Sequence, residues 1–420
     1  MGTDLIDQPH ASQPAGECAA HCRRVAAIAR LIAHHLFLPS EEKDLLRAAC
    51  VLHHHDIGLL APNVIDRLLA DGFGEDAAAL VVDERFAVMV LGLLKACDIH
   101  VSGTALESRL ASVLRLADAF DWGMAEQSVN GADVDDILER LRDGVPTGRW
   151  PEELTNALVQ STRPLALGPT ESWRLPVFPQ AALRTLSLMR DPRANLTTVV
   201  EAASLDPVTA GFVMRLANSA LFGTRKPIAT LSNAIGRLGF ATSQKVIMSA
   251  AMRPVFNSPG LQTAWQHSLE VADLSEQLAA RAGAIDPAEA YLAGLLHDVG
   301  CIALLSMPLY DSARLQGLVH GSCPQVYAEN LLLRTDHTVL GAQIAAGWRL
   351  PETIVAAIRQ HHRPESPLAC LLYVAEYLSG SEEDLPSTIR LKAALNGIGL
   401  ARDEVCDCRV STLGSWLAAA

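Results

Sequence analysis

The residues of this chain that could do chemistry are histidines and acids set among aliphatic side chains. Ala290–Leu305, AYLAGLLHDVGCIALL, is apolar almost throughout but carries His297-Asp298 in its middle, so it reads as one buried helix. An imidazole and a carboxylate are costly to bury in such company unless each finds a partner. A metal ion would be such a partner, as would a hydrogen-bonded cluster imitating one. His267 upstream, and His337, His361, His362 and Glu376 downstream, each sit in a segment with its own helical pattern and are candidates to join the pair. Imidazole and carboxylate together suit divalent ions such as Fe, Mn, Zn or Mg, and the choice among them is open. These seven donors exceed one tetrahedral shell, so two metals have room. A metal pair that bridges a phosphoryl oxygen and lowers the pKa of a bound water is a recurrent hydrolytic device. Hydrolysis also calls for a cationic group near the phosphate. Arg363, next to the histidine pair, is the nearest candidate, and a solvated helix end is its other reading.

A second His-Asp pair, His55-Asp56, lies in AACVLHHHDIGLL, again followed by an aliphatic residue and Gly58. The surroundings of the two pairs are related. His21-x3-Val25-Ala26 matches His267-x3-Val271-Ala272, and LRLADAF with Asp118 matches LYVAEYL with Glu376. The first histidine precedes the His-Asp pair by 34 residues in one copy and 30 in the other. The shared order of His, His-Asp and late acid predicts a duplicated fold. The earlier copy offers His21, His55, Asp56, His100 and Asp118 as a weaker site.

The elements that must position these residues are helices. Ala and Leu dominate, aromatics are 5%, and no strand-like alternation of useful length occurs, so the chain reads as all-α. Residues 1–15 read as a disordered tail, 16–150 as a first helical domain, and 151–170 as a linker rich in turn formers. Residues 171–420 read as the second domain, divided into 171–255, 256–380 and 381–420. Its first part is a run of short helices with clean punctuation: Asn195 as a cap, and Asp206-Pro207 as a cap followed by a proline at the first helical position. The net charge of −13 argues against a nucleic-acid binder working through a basic face. No apolar run approaches the roughly 20 residues that span a bilayer, and the N-terminus has no apolar signal core, so cytoplasm is the expected location. The nine cysteines make no C-x-x-C pair and read as small core residues in a reducing compartment.

Several pieces in order resemble the HDOD domain family. They are LPVFPQAALRTLSLMRDP, the LDP of Leu205–Pro207, VMRLANSALFG, NAIGRLGF, W-x-H-S at Trp265–Ser268, LLHDVG, DHTVLGAQIAAGWRLP, and the pair His361-His362. The resemblance covers roughly 171–380. It implies a regulatory module related to the HD metal-dependent phosphohydrolases, and it carries metal-ligand roles onto His267, His297, Asp298, His337, His361, His362 and Glu376. Residues 16–125 look like a more diverged HD-type domain, similar in residue order to HD-GYP phosphodiesterases that cleave cyclic di-GMP. The departures are Leu59 where those enzymes have a Lys, a missing Gly-Tyr-Pro loop after His100, and Glu376 in place of an Asp. The resemblance thus implies two HD-type helical bundles, the second preceded by a helical HDOD subdomain.

Three functions remain open on the sequence. The first is a non-catalytic signalling platform that binds a protein partner, with the first domain sensing or dimerising; the missing Lys and loop favour it. The second is a metal-dependent phosphohydrolase acting on a cyclic dinucleotide or other nucleotide; the full ligand set of the second copy favours it. The third leaves the clusters the task of holding helices together. Any nucleotide second messenger would need a pocket whose charge differs from the acidic average. No partner involving nucleic acid or membrane is expected, and a homodimer is compatible with the first function.

Overall fold

The computed structural model describes residues 15–53, 89–90, 92–94, 97, 104–130, 133–165, 179–189, 191, 193–223, 227–256, 262–305, 313–319, 323–380 and 388–419. The protein is all-α, with no strand among the described residues. Its contacts divide it into two compact units. The first comprises Met1–Leu167, Asp311–Thr335 and Glu383–Thr388; the second comprises Gly168–Tyr310, Asp336–Glu382 and Ile389–Ala420.

In the first unit, α1 (Ala15–His35) packs against α2 (Ser40–Leu52) and the long α3 (Ala105–Asn130). Ile28, Ile32, Leu45, Leu46, Leu110, Leu116 and Phe120 fill the space between them. Asp133 caps α4 (Val134–Asp143), accepting from the Asp135 and Asp136 backbones. α5 (Glu152–Ser161) follows, and it corrects the first part of the linker expected over 151–170, of which 166–170 lie outside the described residues. Pro151 and two glutamates open it, and Leu154, Ala157 and Leu158 recur at helical spacing and are buried. Pro151, one of the turn formers that suggested a linker, is the N-cap of this helix.

In the second unit, short helices α6 (Gln180–Met189), α7 (Leu196–Ser204), α8 (Pro207–Ala217), α9 (Leu231–Leu238) and α10 (Phe240–Met252) come first. Asn195 and Asp206 cap α7 and α8 through their side chains. Thr230 caps α9, two residues before the expected start. The remaining helices are α11 (Gln262–Ala282), α12 (Pro287–Leu296) and α13 (Val299–Leu305), then α14 (Ala313–Val319) and α15 (Gln325–Leu333), which belong to the first unit. After them come α16 (His337–Gly347), α17 (Glu352–Gln360), α18 (Pro367–Ser379), α19 (Thr388–Ile398), α20 (Arg402–Val405) and α21 (Thr412–Ala419). One apolar cluster runs from Ala181 through Met252 to Trp265, Leu296, Val374 and Leu417, so the short helices share a core with the site-bearing ones.

Two differences from the sequence reading matter for the site. The single helix expected over Ala290–Leu305 is two helices, broken at His297-Asp298. The continuous second domain expected over 171–420 is interrupted, because 311–335 folds with the first unit. There Leu165 N–H donates to Leu332 O at 2.8 Å, Arg334 pairs with Asp135 at 2.7 Å, and the Arg24 guanidinium lies 5.6 Å from the Tyr327 ring centre. Pro287–Leu305 is also long and apolar enough by composition to cross a membrane, contrary to the expectation that no stretch is, and it is largely buried inside the second unit.

Candidate metal centre

Close approach of backbones builds the site. α12 lies on α11 at Gly294, where a Cβ would meet the Ala272 backbone at 2.7 Å. α13 lies on the first turn of α16 at Gly300, where a Cβ would collide with the His337 carbonyl and sit 2.7 Å from Gly341 N. Glycine is required at both positions for steric reasons. Asp336, itself buried, accepts from the Thr338 and Val339 backbones and so starts α16 with His337 as its first residue.

A local device aims the imidazoles. His297 and His361 are the C-cap residues of α12 and α17. Each has Nδ1 at 2.7 Å from the carbonyl three residues back, Gly294 and Ile358 respectively. Donating Nδ1–H there fixes the tautomer and leaves Nε2 as a lone-pair donor facing inward, an arrangement frequent around metals.

The structure brings together all seven candidate donors of the later copy: His267, His297, Asp298, Glu376, His337, His361 and His362. His297 Nε2 lies 2.7 Å from Glu376 Oε1 and 3.2 Å from Asp298 Oδ2. His267 Nε2 lies 3.7 Å from Glu376 Oε1 and 3.8 Å from Asp298 Oδ2. The other Asp298 oxygen faces the remaining imidazoles, with His337 Nε2 at 3.7 Å and His361 Nε2 at 3.6 Å. His337 and His362 oppose their Nε2 atoms at 3.0 Å. Asp298 thus stands between two groups of donors, one oxygen turned to each.

The electrostatics are those of a tightly coupled cluster. Burial alone would push the Asp298 and Glu376 carboxyls up; the imidazoles, His297 first, outweigh it and hold both well below the ordinary carboxylate range. Burial would likewise lower His297, but Asp298 and Glu376 raise it far above an ordinary histidine. His362 is driven well below the usual value by burial and by His361 beside it. Among the described residues, the fully buried Nε2 atom of His361 has no hydrogen-bond partner, whereas that of His297 lies within bonding distance of Glu376. Two ionised carboxylates thus face one imidazole that they hold charged, His297, and one that burial holds neutral, His362. A divalent ion would displace the His297 proton from between the carboxylates and use the inward-facing ring nitrogens, so the donor set fits a metal.

The earlier copy is partly brought together. His21 on α1 and Asp118 on α3 meet, Nε2 to Oδ1 at 3.0 Å. The described histidine beside them is His53, the C-cap of α2, 3.6 Å from Asp118, with Nδ1 at 2.6 Å from Cys50 O. His53 therefore repeats the local geometry of His297. His55, Asp56 and His100 lie outside the described residues. Asp121, which sequence reasoning passed over, accepts two bonds from Arg24 at 2.9 Å and lies 2.7 Å from His21 Nδ1. Burial opposes charge on His21, but Asp118 and Asp121 raise it to about 9. The N-terminal copy thus holds an imidazolium between two carboxylates balanced by Arg24.

Sequence reasoning also passed over Cys301 as a donor. It sits one helical turn past His297-Asp298, a spacing that places it on the same side, and it forms a compact group with Asp298 and His337.

The HDOD domain profile matches residues 175–364 of the chain. Residues 175–364 are an HDOD domain. This HDOD domain contains every site residue of the second unit except Glu376, which lies just beyond it. An uncharacterised protein of Treponema pallidum is 26% identical over 200 residues, covering 46% of this chain and 39% of its own. Ribonuclease Y of Lawsonia intracellularis is 33% identical over 124 residues, covering 29% of this chain and 19% of its own. Ribonuclease Y of Geotalea uraniireducens is 36% identical over 123 residues, covering 29% of this chain and 18% of its own. The chain therefore spans well under half of these relatives. An HDOD domain protein of unknown function from Geobacter sulfurreducens aligns in structure with a TM-score of 0.48 and 25% identity, over 59% of this chain and 89% of its own.

Proposed function

We propose that this chain is a bacterial, cytoplasmic regulatory protein whose HDOD domain is a helical binding platform assembled around a divalent-metal centre. The observation that carries this reading is the pair of half-buried carboxylates, Asp298 and Glu376, set among converging imidazoles, with the fully buried His361 Nε2 left without a hydrogen-bond partner. His267, His297, Glu376 and one Asp298 oxygen would hold one ion; His337, His361, His362 and the other oxygen would hold a second. The first unit is a diverged HD-type bundle that senses or dimerises, since its His21–Asp118–Asp121–Arg24 cluster balances its own charge. The output is a protein partner in a signalling pathway, with a nucleotide second messenger as a candidate input.

A second reading, metal-dependent phosphohydrolysis of a cyclic dinucleotide or other nucleotide, is favoured by two observations. Asp298 addresses both donor groups, as a bridging ligand of a metal pair would, and the relatives include proteins named ribonuclease Y. When bound, such a pair would supply Lewis acidity and a water of lowered pKa.

The experiment is elemental analysis of the purified chain, followed by hydrolysis assays on cyclic di-GMP and a generic phosphodiester with added Mn. Bound metal without turnover supports the platform. Turnover that His297→Ala abolishes supports the hydrolase instead. A chain that neither retains nor takes up divalent metal overturns both.

A further inference from the structure

We infer that Cys301 is a thiolate ligand of the subsite made by His337, His361 and His362, which makes that half of the centre selective for zinc-class ions over manganese and magnesium. The inference rests on the metal reading above and deepens it. Cys301 is buried, and its sulfur, an Asp298 carboxylate oxygen and a His337 ring nitrogen all lie within 4.8 Å of one another. Among the described residues it is the only cysteine in such a group. Zinc bonds of about 2.3 Å to sulfur and about 2.0 Å to nitrogen place two donors on a tetrahedral ion about 3.5 Å apart, so a modest inward turn of the side chains closes the shell.

The backbone holds the sulfur in register. Cys301 N–H donates to Asp298 O at 2.9 Å, fixing the turn that separates the carboxylate from the thiol. Gly300, immediately before it, lies against the His337 carbonyl, so the residue preceding the thiol touches the residue that presents the imidazole. His361 adds a fully buried Nε2 without a hydrogen-bond partner, 3.6 Å from the same Asp298 oxygen. Three imidazoles, a shared carboxylate and a thiolate form a softer set than the His267, His297 and Glu376 side. Soft donors select zinc, whereas carboxylate-rich sites suit manganese and magnesium. On coordination the thiol proton passes to solvent and the sulfur lone pair enters the metal–sulfur bond.

Cobalt substitution tests this without reference to turnover. The full chain, stripped of metal and kept reduced, is titrated with Co(II) and followed by absorption alongside Cys301→Ser and Cys301→Ala, with circular dichroism verifying the fold of each. The expected result is a near-ultraviolet sulfur-to-cobalt band in the wild type that both variants lack while their visible ligand-field bands persist. Zinc affinity should fall about 10–100-fold in the variants, on the scale of losses around metal shells, with manganese affinity changed far less. Ligand-field bands without the sulfur band in the wild type, or a sulfur band surviving in Cys301→Ser, would overturn the assignment and leave the metal centre standing. Absence of any cobalt binding would overturn the metal centre and this inference together.

Discussion

At the scale of single residues, the seven donors of the second unit divide by what holds them. His297 and His361 are oriented by a carbonyl one turn back, and Asp298 is oriented by the imidazoles that surround it. Replacing His361 by Ala should lower divalent-metal affinity by at least the 10–100-fold that loss of an outer-shell partner costs, with the helical circular dichroism retained; equilibrium dialysis against a chromophoric chelator reads it. His21 makes a different prediction. Its pKa is raised to about 9 from 6.5, so its contribution to stability is fully present below pH 6.5 and is lost as pH rises through about 9. The melting-temperature gap between wild type and His21→Gln should therefore be widest near pH 6 and narrow by pH 9; a gap independent of pH would contradict the imidazolium cluster. Ionisable residues in apolar helices are scarce enough to be visible in a sequence, so His267, His297, Asp298, His337, His361, His362 and Glu376 could be named before any coordinates. His53 was not named, because which member of a run of three histidines meets Asp118 depends on where α2 stops. Cys301 was hidden by its type, since cysteine in an aliphatic helix reads as core.

At the scale of elements, the site depends on where helices stop and how closely they pass. The break between α12 and α13 turns His297 and Asp298 inward together, and the sequence concealed it because LLHDVGCIALL has no Pro and is apolar on both sides. The caps were legible, because Asn195, Asp206 and Pro207 act through local chemistry alone. Two substitutions separate packing from punctuation. Gly300→Ala should force α13 off the first turn of α16, costing roughly 1–3 kcal/mol by overpacking and weakening metal binding as His337 shifts; denaturant midpoints and metal titration read the two effects. Asp206→Ala, at the start of α8, should cost about 1 kcal/mol through the lost cap and leave metal affinity unchanged. If Gly300→Ala alters stability without altering metal affinity, the helix contact does not position the centre.

At the scale of the whole molecule, the described residues of the two units share a pattern. A histidine on the first helix, a second at the cap of the next and an acid on a later helix recur as His21, His53 and Asp118 and as His267, His297 and Glu376. The first histidine and the late acid of each copy were named from spacing, whereas the assignment of 311–335 to the first unit was not legible, because it is decided by pairings remote in sequence such as Leu165 with Leu332. In one copy Arg24 and the His21 imidazolium face the acids; in the other, the proposed cation would join His297 against Asp298 and Glu376. Metal should therefore stabilise the second unit selectively, by about 2.7 kcal/mol at a hundredfold excess over Kd, with added hydrogen-exchange protection in Gln262–Ala282 and Pro367–Ser379 and none in Ser40–Leu52. The measurement that bears most directly on the account is calorimetric titration of the metal-stripped chain with Zn and Mn, beside Asp298→Asn. Saturable binding by the wild type, lost or greatly weakened in the variant, is what the geometry predicts; no binding by the wild type, or equal binding by both, would contradict it.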